Sequence, residues 1–165
     1  MVVKIRPIVL KDAASCRRYW DAIAKERRYL YWYEAPPLSE VRANLRQSLR
    51  KKTPFLVAVD EERVVGWAVA YRARVPSLSH GGDLLMGLLP GYRGMGLGTK
   101  LAAGVLKMAR GKFDMMLFCV FGKNKHARAL GQNLGFKLCG EEKKAVKLAY
   151  GFDDLVIMQK QLRVL

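Results

Sequence analysis

The chain has 165 residues, about half of them apolar, which is enough for one hydrophobic core but hardly for two, so we expect a single domain over residues 1–165. Its apolar runs are interrupted within about ten residues, well short of the roughly 20 that cross a bilayer, and this excludes a membrane-spanning helix. Thirty Lys and Arg against fourteen Asp and Glu give a formal charge of +16, which attracts nucleic acid, anionic membrane surfaces and phosphorylated cofactors alike.

The first third of the chain is predicted to form a strand and two helices. Residues 2–8 alternate loosely between apolar and polar, as a strand does. A first helix follows with Asp12 as its N-cap, and Ser39 is expected to cap a second helix. The proline pair at 36–37 separates the two helices, and Pro54 ends the second.

The middle of the chain is predicted to be a hairpin, a strand, a glycine-rich turn and a helix. Two runs rich in valine and aromatic residues, 55–60 and 63–71, are typical of antiparallel strands joined at 60–62. A further strand over 83–89 leads into the turn, and a helix follows over 96–110. The strand therefore delivers the chain to a turn at the start of a helix.

The last third adds one helix and three strands to this pattern. Strands are predicted over 114–121, 136–139 and 152–161, and a short helix over 124–134. The charged stretch 141–147 is expected to be a turn or a mobile loop. The complete pattern is that of a mixed α/β protein without internal repeats.

The turn before the third helix reads Arg-Gly-Met-Gly-Leu-Gly-Thr over residues 93–99. Glycines let backbone N–H groups approach an anion at a helix N-terminus, where the helix dipole favours negative charge. Phosphate or pyrophosphate is therefore the predicted ligand, although a tight turn and close helix packing also explain the glycines. The Walker A and Rossmann spacings fail here, and the GXXG at 91–94 follows a strand, unlike the RNA-binding motif of that form.

The cysteines and histidines indicate neither a disulfide framework nor a metal site. Cys16, Cys119 and Cys139 are odd in number and far apart, so buried thiols are the simplest interpretation. His80 and His126 lie outside any metal-binding spacing. The N-terminal residues lack the long apolar core of a signal peptide, and we expect a cytoplasmic protein without a metal cofactor.

Two segments of the chain resemble the GNAT superfamily of N-acetyltransferases. The coenzyme-A-binding segment of that family has Gln or Arg, two residues, Gly, one residue, and Gly or Ala, and Arg93, Gly96 and Gly98 occupy these positions. A second match, to the family's N-x-x-A-x-x-L-Y-x-x-x-G-F run, comprises Asn124, Ala127, Leu130 and the Leu-Gly-Phe at 134–136. The resemblance covers nearly the whole chain and implies a central, mixed, mostly antiparallel sheet flanked by helices.

The resemblance also implies that acetyl-coenzyme A is the cofactor. Backbone groups of Met86, Gly87 and Leu88 would then contact its pantetheine arm and thioester carbonyl. Seven consecutive residues would hold its pyrophosphate: Arg93, Gly94, Met95, Gly96, Leu97, Gly98 and Thr99. Asn124 would contact the pantetheine arm or order the end of its strand, and it is an equally good N-cap for the helix that follows.

Acetyl transfer to an amine places a demand on a base, because the attacking nitrogen must be neutral. A lysine-type amine with a pKa near 10.4 is neutral in only about one molecule in 10³ at pH 7. Asp83 stands where many similar enzymes carry a glutamate, and His80 lies one loop earlier, so each is a candidate base, acting directly or through a water. Leu88 is the candidate backbone group at the thioester carbonyl.

Gly131 occupies the position where much of the family carries a tyrosine that protonates the leaving thiolate. A thiol with a pKa near 8.5 leaves as a thiolate without much help, so this difference does not by itself abolish activity. Tyr150 and Tyr92 are candidate replacements, although each also fits an ordinary packing or surface role. Gly131 equally favours a second hypothesis, a non-catalytic coenzyme-A-binding module or a basic nucleic-acid or ribosome-associated module on the same fold.

The acceptor is expected to lie between residues 29–33, which are three tyrosines, a tryptophan and a leucine, and the last strand. Asp153 and Asp154 would hold an ammonium group there, unless they are solvated turn residues and the aromatic residues are a plain core patch. A +16 chain repels polycationic acceptors at long range. We therefore expect a small-molecule or peptide amine as acceptor, nucleic acid as the less favoured partner, and a monomer or homodimer.

Overall fold

A computed structural model describes residues 2–28, 33–72 and 75–163 of the chain. The strands, in chain order, are β1 (Val3–Pro7), β2 (Phe55–Asp60), β3 (Arg63–Arg72), β4 (Gly81–Leu88), β5 (Met115–Phe121), β6 (Lys137–Leu148) and β7 (Gly151–Gln161). The helices are α1 (Ala13–Lys25), α2 (Leu38–Arg50), α3 (Leu97–Ala109) and α4 (Lys125–Asn133). The predicted mixed α/β class and the predicted order of elements are confirmed.

The seven described strands form one sheet in the order β1-β2-β3-β4-β5-β7-β6. All neighbouring pairs are antiparallel except β4 and β5, which run parallel. Side chains alternate between the two faces of a strand. In β4, Gly87 faces Tyr19 of α1, whereas Met86 faces Gly98 of α3, so α1 and α3 cover opposite faces of the sheet.

The core lies between this sheet and the apolar stripes of the helices. The stripes that helical spacing predicts are buried at Val41 and Leu45 in α2 and at Leu101 and Val105 in α3. Leu49, one turn further along α2, is exposed instead, because the helix ends at the next residue. Burial of one stripe on each helix fixes how the helices lie on the sheet.

Residues 141–147 were predicted to form a turn or loop, and this prediction is wrong. They lie within β6, which continues to Leu148 because β7 offers a pairing partner along its whole length. The regular pairing shifts between Glu142 and Val146, and Lys144 has a φ of +52° within this bulge. The charged side chains therefore extend from an edge strand, where charges are a usual protection against further pairing.

The two predicted N-caps also differ from the structure. Asp12 does occupy the N-cap position of α1, but its carboxylate accepts from the Val9 amide and pairs with Arg6 at 2.7 Å instead of capping the helix. Burial of this carboxylate is more than balanced by these bonds, so its pKa is lowered. Helix α2 begins at Leu38, one residue before Ser39, without a side-chain cap.

Candidate active site

A gap opens in the middle of the sheet where β4 and β5 part. The two strands pair only over Gly81–Asp83 and Met115–Leu117. Beyond these residues the described part of the chain shows no pairing between them, although β4 runs on to Leu88 and β5 to Phe121. We call the space between residues 84–88 and 118–121 the gap. Over this stretch the facing edges of β4 and β5 form no ladder hydrogen bonds with each other, so a ligand can bind between them.

Alternation along β4 decides which backbone groups face the gap. Leu89 donates its N–H to the carbonyl of Val65 at 2.9 Å, so the odd-numbered residues of this strand pair with β3. The backbone of Gly87 is therefore turned toward Trp67, its partner on β3, whereas that of Met86 and Leu88 is turned toward the gap. Of the three residues predicted to offer backbone groups, Met86 and Leu88 are placed to do so and Gly87 is not.

The glycine-rich turn follows the end of β4, beyond the last residue of the strand that borders the gap. Gly94 and Gly96 have φ values of +77° and +72°, in the left-handed region that favours glycine. A Cβ on either residue would meet no atom within 4 Å, so the glycines serve the backbone conformation and not close packing. Helix α3 starts at Leu97, and its first amides, through Thr99, have no acceptor within the helix. Amides in this arrangement can hold an anion, and binding of a diphosphate there stays a prediction.

Arg93 joins this turn to the end of α1. Its guanidinium donates two hydrogen bonds to the carboxylate of Glu26, at 2.9 and 2.7 Å, and a third from Nε to the Leu88 carbonyl at 2.9 Å. The bidentate geometry fixes the direction of the side chain. The positive charge that was predicted to attract a diphosphate is thus shared with a carboxylate, and Arg93 also holds the last residue of β4 in place.

Asn124 caps the helix that follows β5. Its side-chain oxygen accepts from the amide of Ala127 at 3.1 Å, which confirms the N-cap interpretation. The backbone N–H of Asn124 donates to the carbonyl of Phe121, so the chain turns sharply at the end of β5. Contact with a pantetheine arm stays a prediction.

The two candidate bases are placed differently. Asp83 is half-buried and pairs with Leu117 as the last residue before the strands part, at the closed end of the gap. Burial raises the pKa of this carboxyl above its ordinary value. His80 lies just before β4 with an exposed side chain, and its carbonyl accepts from the amide of Asp114. Only Asp83 is set within the strand that borders the gap.

Cys119 is a neighbour of Asp83 that the sequence did not single out as a site residue. It lies on β5 two positions beyond Leu117 and is partly buried. Burial, with smaller contributions from Asp83, Cys139 and Glu142, raises the pKa of its thiol to about 11. The thiol is neutral near pH 7 and is not a nucleophile there.

Gly131 is buried in α4 against the sheet. A Cβ at this position would lie 2.9 Å from Sδ of Met158 and 3.2 Å from Cδ1 of Phe118. The space into which a side chain would grow is therefore filled by β5 and β7. A tyrosine at this position would require Met158 and Phe118 to shift.

Tyr150 belongs to a hydrogen-bonded cluster at the turn between β6 and β7. Its hydroxyl donates to Asp153 at 2.9 Å, and the Lys123 ammonium lies 4.5 Å from its ring centre. The buried carboxylate of Asp153 also accepts from the amides of Lys123 and Asp154, and Asp154 in turn binds Lys143. Both aspartates lie in β7, so the expectation of solvated turn residues is wrong, and donors of the chain itself occupy them.

The other candidate tyrosine, Tyr92, is committed elsewhere. Its hydroxyl donates to Asp60 at 2.7 Å, at the turn between β2 and β3. This bond raises the pKa of the phenol. The contact anchors the residue before Arg93 and leaves Tyr92 without an evident role at the gap.

The connection between α1 and α2 links the two sides of the gap. One anchor is the pair of Arg93 with Glu26, and the other is the hydroxyl of Tyr33, which donates to the carbonyl of Lys147 in β6 at 2.7 Å. Residues 29–32 of the predicted aromatic pocket lie outside the described residues. Tyr33 itself lies between α1 and the last hairpin, the region where the acceptor was expected.

A model of the Acetyltransferase (GNAT) family matches residues 15–136, about three quarters of the chain. The chain belongs to the GNAT acetyltransferase family. A search of curated proteins gives no match. The matched residues include β4, the glycine-rich turn, α3, β5 and α4, so they contain both borders of the gap. Acetyl transfer is the activity of this family, as the resemblance implied.

Solved structures share the whole GNAT fold with this chain. A ribosomal-protein-alanine N-acetyltransferase from Brucella melitensis is 25% identical, with a TM-score of 0.89 over 96% of this chain and 99% of that one. YncA from Salmonella typhimurium, solved with its cofactor acetyl-CoA, is 21% identical, with a TM-score of 0.91 over 100% and 96%. A phosphinothricin acetyltransferase from Sinorhizobium meliloti, in complex with acetyl-CoA, is 24% identical, with a TM-score of 0.90 over 98% and 89%. These likenesses confirm the predicted mostly antiparallel sheet flanked by helices.

The described residues contain neither a membrane-spanning helix nor a cluster of metal ligands. Among these helices none is both long and apolar enough to cross a membrane. Within residues 2–28, 33–72 and 75–163, no three His, Cys, Asp or Glu side chains lie close enough together to bind a metal ion.

Proposed function

We propose that the protein is an acetyl-coenzyme-A-dependent N-acetyltransferase that moves an acetyl group to a primary amine of a small molecule or peptide by direct attack on the thioester. The observation that carries this proposal is the gap, because its open backbone edge at Met86 and Leu88 leads directly to the anion site before α3. A ligand with amide groups at one end and a diphosphate at the other matches both features. Family membership and the acetyl-CoA complexes of similar folds support the same cofactor.

The residues present fit such a cofactor. The amides at the start of α3 and the left-handed glycines at 94 and 96 would hold its diphosphate, and Lys100 adds an exposed positive charge on the same turn. The Leu88 N–H, turned toward the gap, is a donor for the thioester carbonyl oxygen, where negative charge develops during attack. When bound, the cofactor supplies an activated acetyl group. The side chains around it have only to position the amine and remove its proton.

Asp83 is the best-placed group for proton removal. Its pKa, raised by burial, is closer to neutral pH than that of an exposed aspartate, which makes it a stronger base. It lies at the closed end of the gap, about 16 Å along β4 from Leu88 at roughly 3.3 Å per residue, so it would act through a chain of waters, whereas His80 lies on the exposed surface before the strand. Because Tyr150 and Tyr92 donate to Asp153 and Asp60, we assign no general acid, and the thiol leaves as thiolate.

Thiol release from acetyl-coenzyme A with a panel of primary amines tests the proposed function. We expect amine-dependent release well above the hydrolysis background. The competing hypothesis, a basic nucleic-acid or ribosome-associated module, draws on the filled space at Gly131 and on the +16 charge. Binding of RNA at low salt without any thiol release would favour that module and contradict the enzyme.

A further inference from the structure

Within the described part of the chain, two neighbouring side chains each bury a polar atom for which no hydrogen-bond partner is seen. These atoms are the hydroxyl of Tyr19 in α1 and the indole Nε1 of Trp67 in β3. Tyr19 is 2% exposed and Trp67 is 4% exposed. A buried donor left unpaired costs about 1–3 kcal/mol, so a pair of them calls for an explanation.

Both atoms meet over Gly87, in the part of β4 that borders the gap. A Cβ on Gly87 would lie 2.6 Å from the Tyr19 hydroxyl oxygen and 3.8 Å from Trp67 Nε1. Gly87 lies between Met86 and Leu88, whose backbone faces the gap. The hydroxyl therefore lies directly above this edge, on the α1 face of the sheet. A glycine within a strand often marks such a close approach, so Gly87 is the signal in the sequence that some group lies close above this part of β4.

The donors and acceptors of Tyr19 and Trp67 show what kind of hydrogen-bond partner the pair lacks. An indole N–H can only donate, whereas a phenol has one hydrogen and two lone pairs. The Tyr19 oxygen can accept the Trp67 hydrogen, but its own hydrogen then still needs an acceptor. Burial raises the pKa of Tyr19, against smaller opposing effects of Arg93 and Trp67, so the phenol keeps this hydrogen. The absent partner is a hydrogen-bond acceptor, such as a carbonyl or carboxylate oxygen.

We propose that Tyr19, supported by Trp67, binds a carbonyl or carboxylate oxygen of the amine acceptor, which makes the acceptor an α-amino acid or a peptide α-amine. This inference rests on the proposed function. The Leu88 N–H is turned toward the gap, where we place the thioester, and the Tyr19 hydroxyl lies over the neighbouring Gly87 on the α1 face of the sheet. In an α-amino carbonyl compound the oxygen lies about 3 Å from the nitrogen, so an amine that attacks the thioester from the α1 face carries its oxygen toward Tyr19.

Charge and burial agree with this class of acceptor. The net charge of +16 draws in carboxylates and does not repel a neutral peptide carbonyl. The hydroxyl is covered from solvent, so bulk water does not compete for its hydrogen. A covered hydrogen bond is also more selective, because an acceptor without the oxygen leaves the donor unpaired.

Tyr19→Phe tests the assignment with three amines: alaninamide, alanine and isopropylamine, which lacks the oxygen. We expect the variant to lose about tenfold in kcat/KM for alaninamide, alanine or both, since a single hydrogen bond is removed. For isopropylamine the change should stay within about twofold, because it never made that bond. Alanine and alaninamide separate a preference for a carboxylate from one for a neutral carbonyl.

Comparison of the three amines separates a binding role of the hydroxyl from a structural one. Tyr19→Phe can melt lower because the Trp67 N–H loses the Tyr19 oxygen as an acceptor, but a structural effect of this kind lowers activity on all three amines alike. An equal loss of activity on all three amines would therefore overturn the assignment. If the unmodified protein releases thiol with none of the three, the proposed function fails together with this inference.

Discussion

Gly96 carries a conformational demand that alanine does not meet. Its φ is +72°, and nothing lies within 4 Å of an added Cβ, so Gly96→Ala acts through the backbone alone. We expect it to cost about 1–2 kcal/mol of stability, the usual penalty for an L-residue in the left-handed region. Because the first amides of α3 would turn with the backbone, acetyl-coenzyme A should also bind more weakly. Calorimetric titration and thermal unfolding measure the two effects.

Gly91 is the matched control for this substitution. It lies in the same connection, also has open space at its Cβ, and does not have a positive φ. Gly91→Ala should therefore change neither stability nor cofactor affinity appreciably. Equal behaviour of the two variants would contradict the role given to the left-handed turn.

Asp83→Asn is expected to change stability and activity in opposite directions at neutral to basic pH. Burial raises the pKa of Asp83 above 3.8 in the folded chain, so folding favours the protonated form. Wild-type stability from this group is complete below the unfolded pKa and is lost as pH rises through the folded pKa. The asparagine variant should match the wild type near about pH 4 and melt higher near about pH 8, while its acetyl transfer falls by about 10²-fold or more if Asp83 is the base.

Asp21→Asn provides a control of the opposite sign. Hydrogen bonding to Lys25 lowers the pKa of the exposed Asp21 carboxyl. Its contribution is present above the unfolded pKa and is lost as pH falls, so the variant should melt slightly lower near neutral pH. An Asp83→Asn variant that also melts lower at neutral pH would show that its carboxylate has a favourable partner.

Helix α4 is where this chain departs from the family pattern, because it has Gly131 in place of the tyrosine. The side chains packed around Gly131 bear on this difference. Gly131→Tyr would restore the pattern, but its Cβ alone lies 2.9 Å from Met158 and 3.2 Å from Phe118. Overpacking of this kind costs about 1–3 kcal/mol. We expect a lower melting temperature and no gain in kcat.

Ala129→Tyr is the control on the same helix, because Ala129 is exposed. It should leave stability within about 0.5 kcal/mol of the wild type, as surface substitutions usually do. A Gly131→Tyr variant that folds as stably as Ala129→Tyr and turns over faster would show that α4 can take up the family tyrosine, and our explanation would be wrong.

Helices and strands can be predicted from the sequence where a regular apolar period or a local residue signal defines them. Helices α2 and α3 were identified because one apolar stripe with a 3.6-residue period serves one buried face. The strand β6 was cut short at residue 139 because its charged half lies at the sheet edge, where only pairing with β7 defines it. The residue type of Asp12 predicts a cap, yet its carboxylate pairs with Arg6, six residues earlier in the chain, and the spacing of the two residues does not reveal this pair.

Only the part of the candidate site that is contiguous in sequence could be predicted. The glycine-rich turn is contiguous in sequence, so its conformation and its place at a helix start could be inferred. The approach of Tyr19 to Gly87 joins residues far apart in the chain, and no spacing rule reports it. The alternation that turns Met86 toward the gap and Gly87 away from it depends on the register with β3, which is a property of the assembled sheet.

The whole molecule contributes through its charge. At +16 it should bind acetyl-coenzyme A more weakly as salt is added, since screening shortens from about 10 Å at 0.1 M to about 3 Å at 1 M. We expect the dissociation constant to rise several-fold over this range. The uncharged thioester S-acetyl-N-acetylcysteamine is the control, and its turnover should be nearly independent of salt. If both compounds showed the same salt dependence, the net charge of the protein would not contribute to binding of acetyl-coenzyme A.

The narrow join between β4 and β5 gives the sheet a mechanical property. Three residues on each strand connect four strands on one side with three on the other, whereas the free arms of the two strands extend about 13–17 Å beyond that join at roughly 3.3 Å per residue. Over such arms, a rotation of about 4° at Asp83 and Leu117 changes the separation of Leu88 and Phe121 by about 1 Å. A small change of angle at the join therefore alters the width of the gap by nearly the size of an atom.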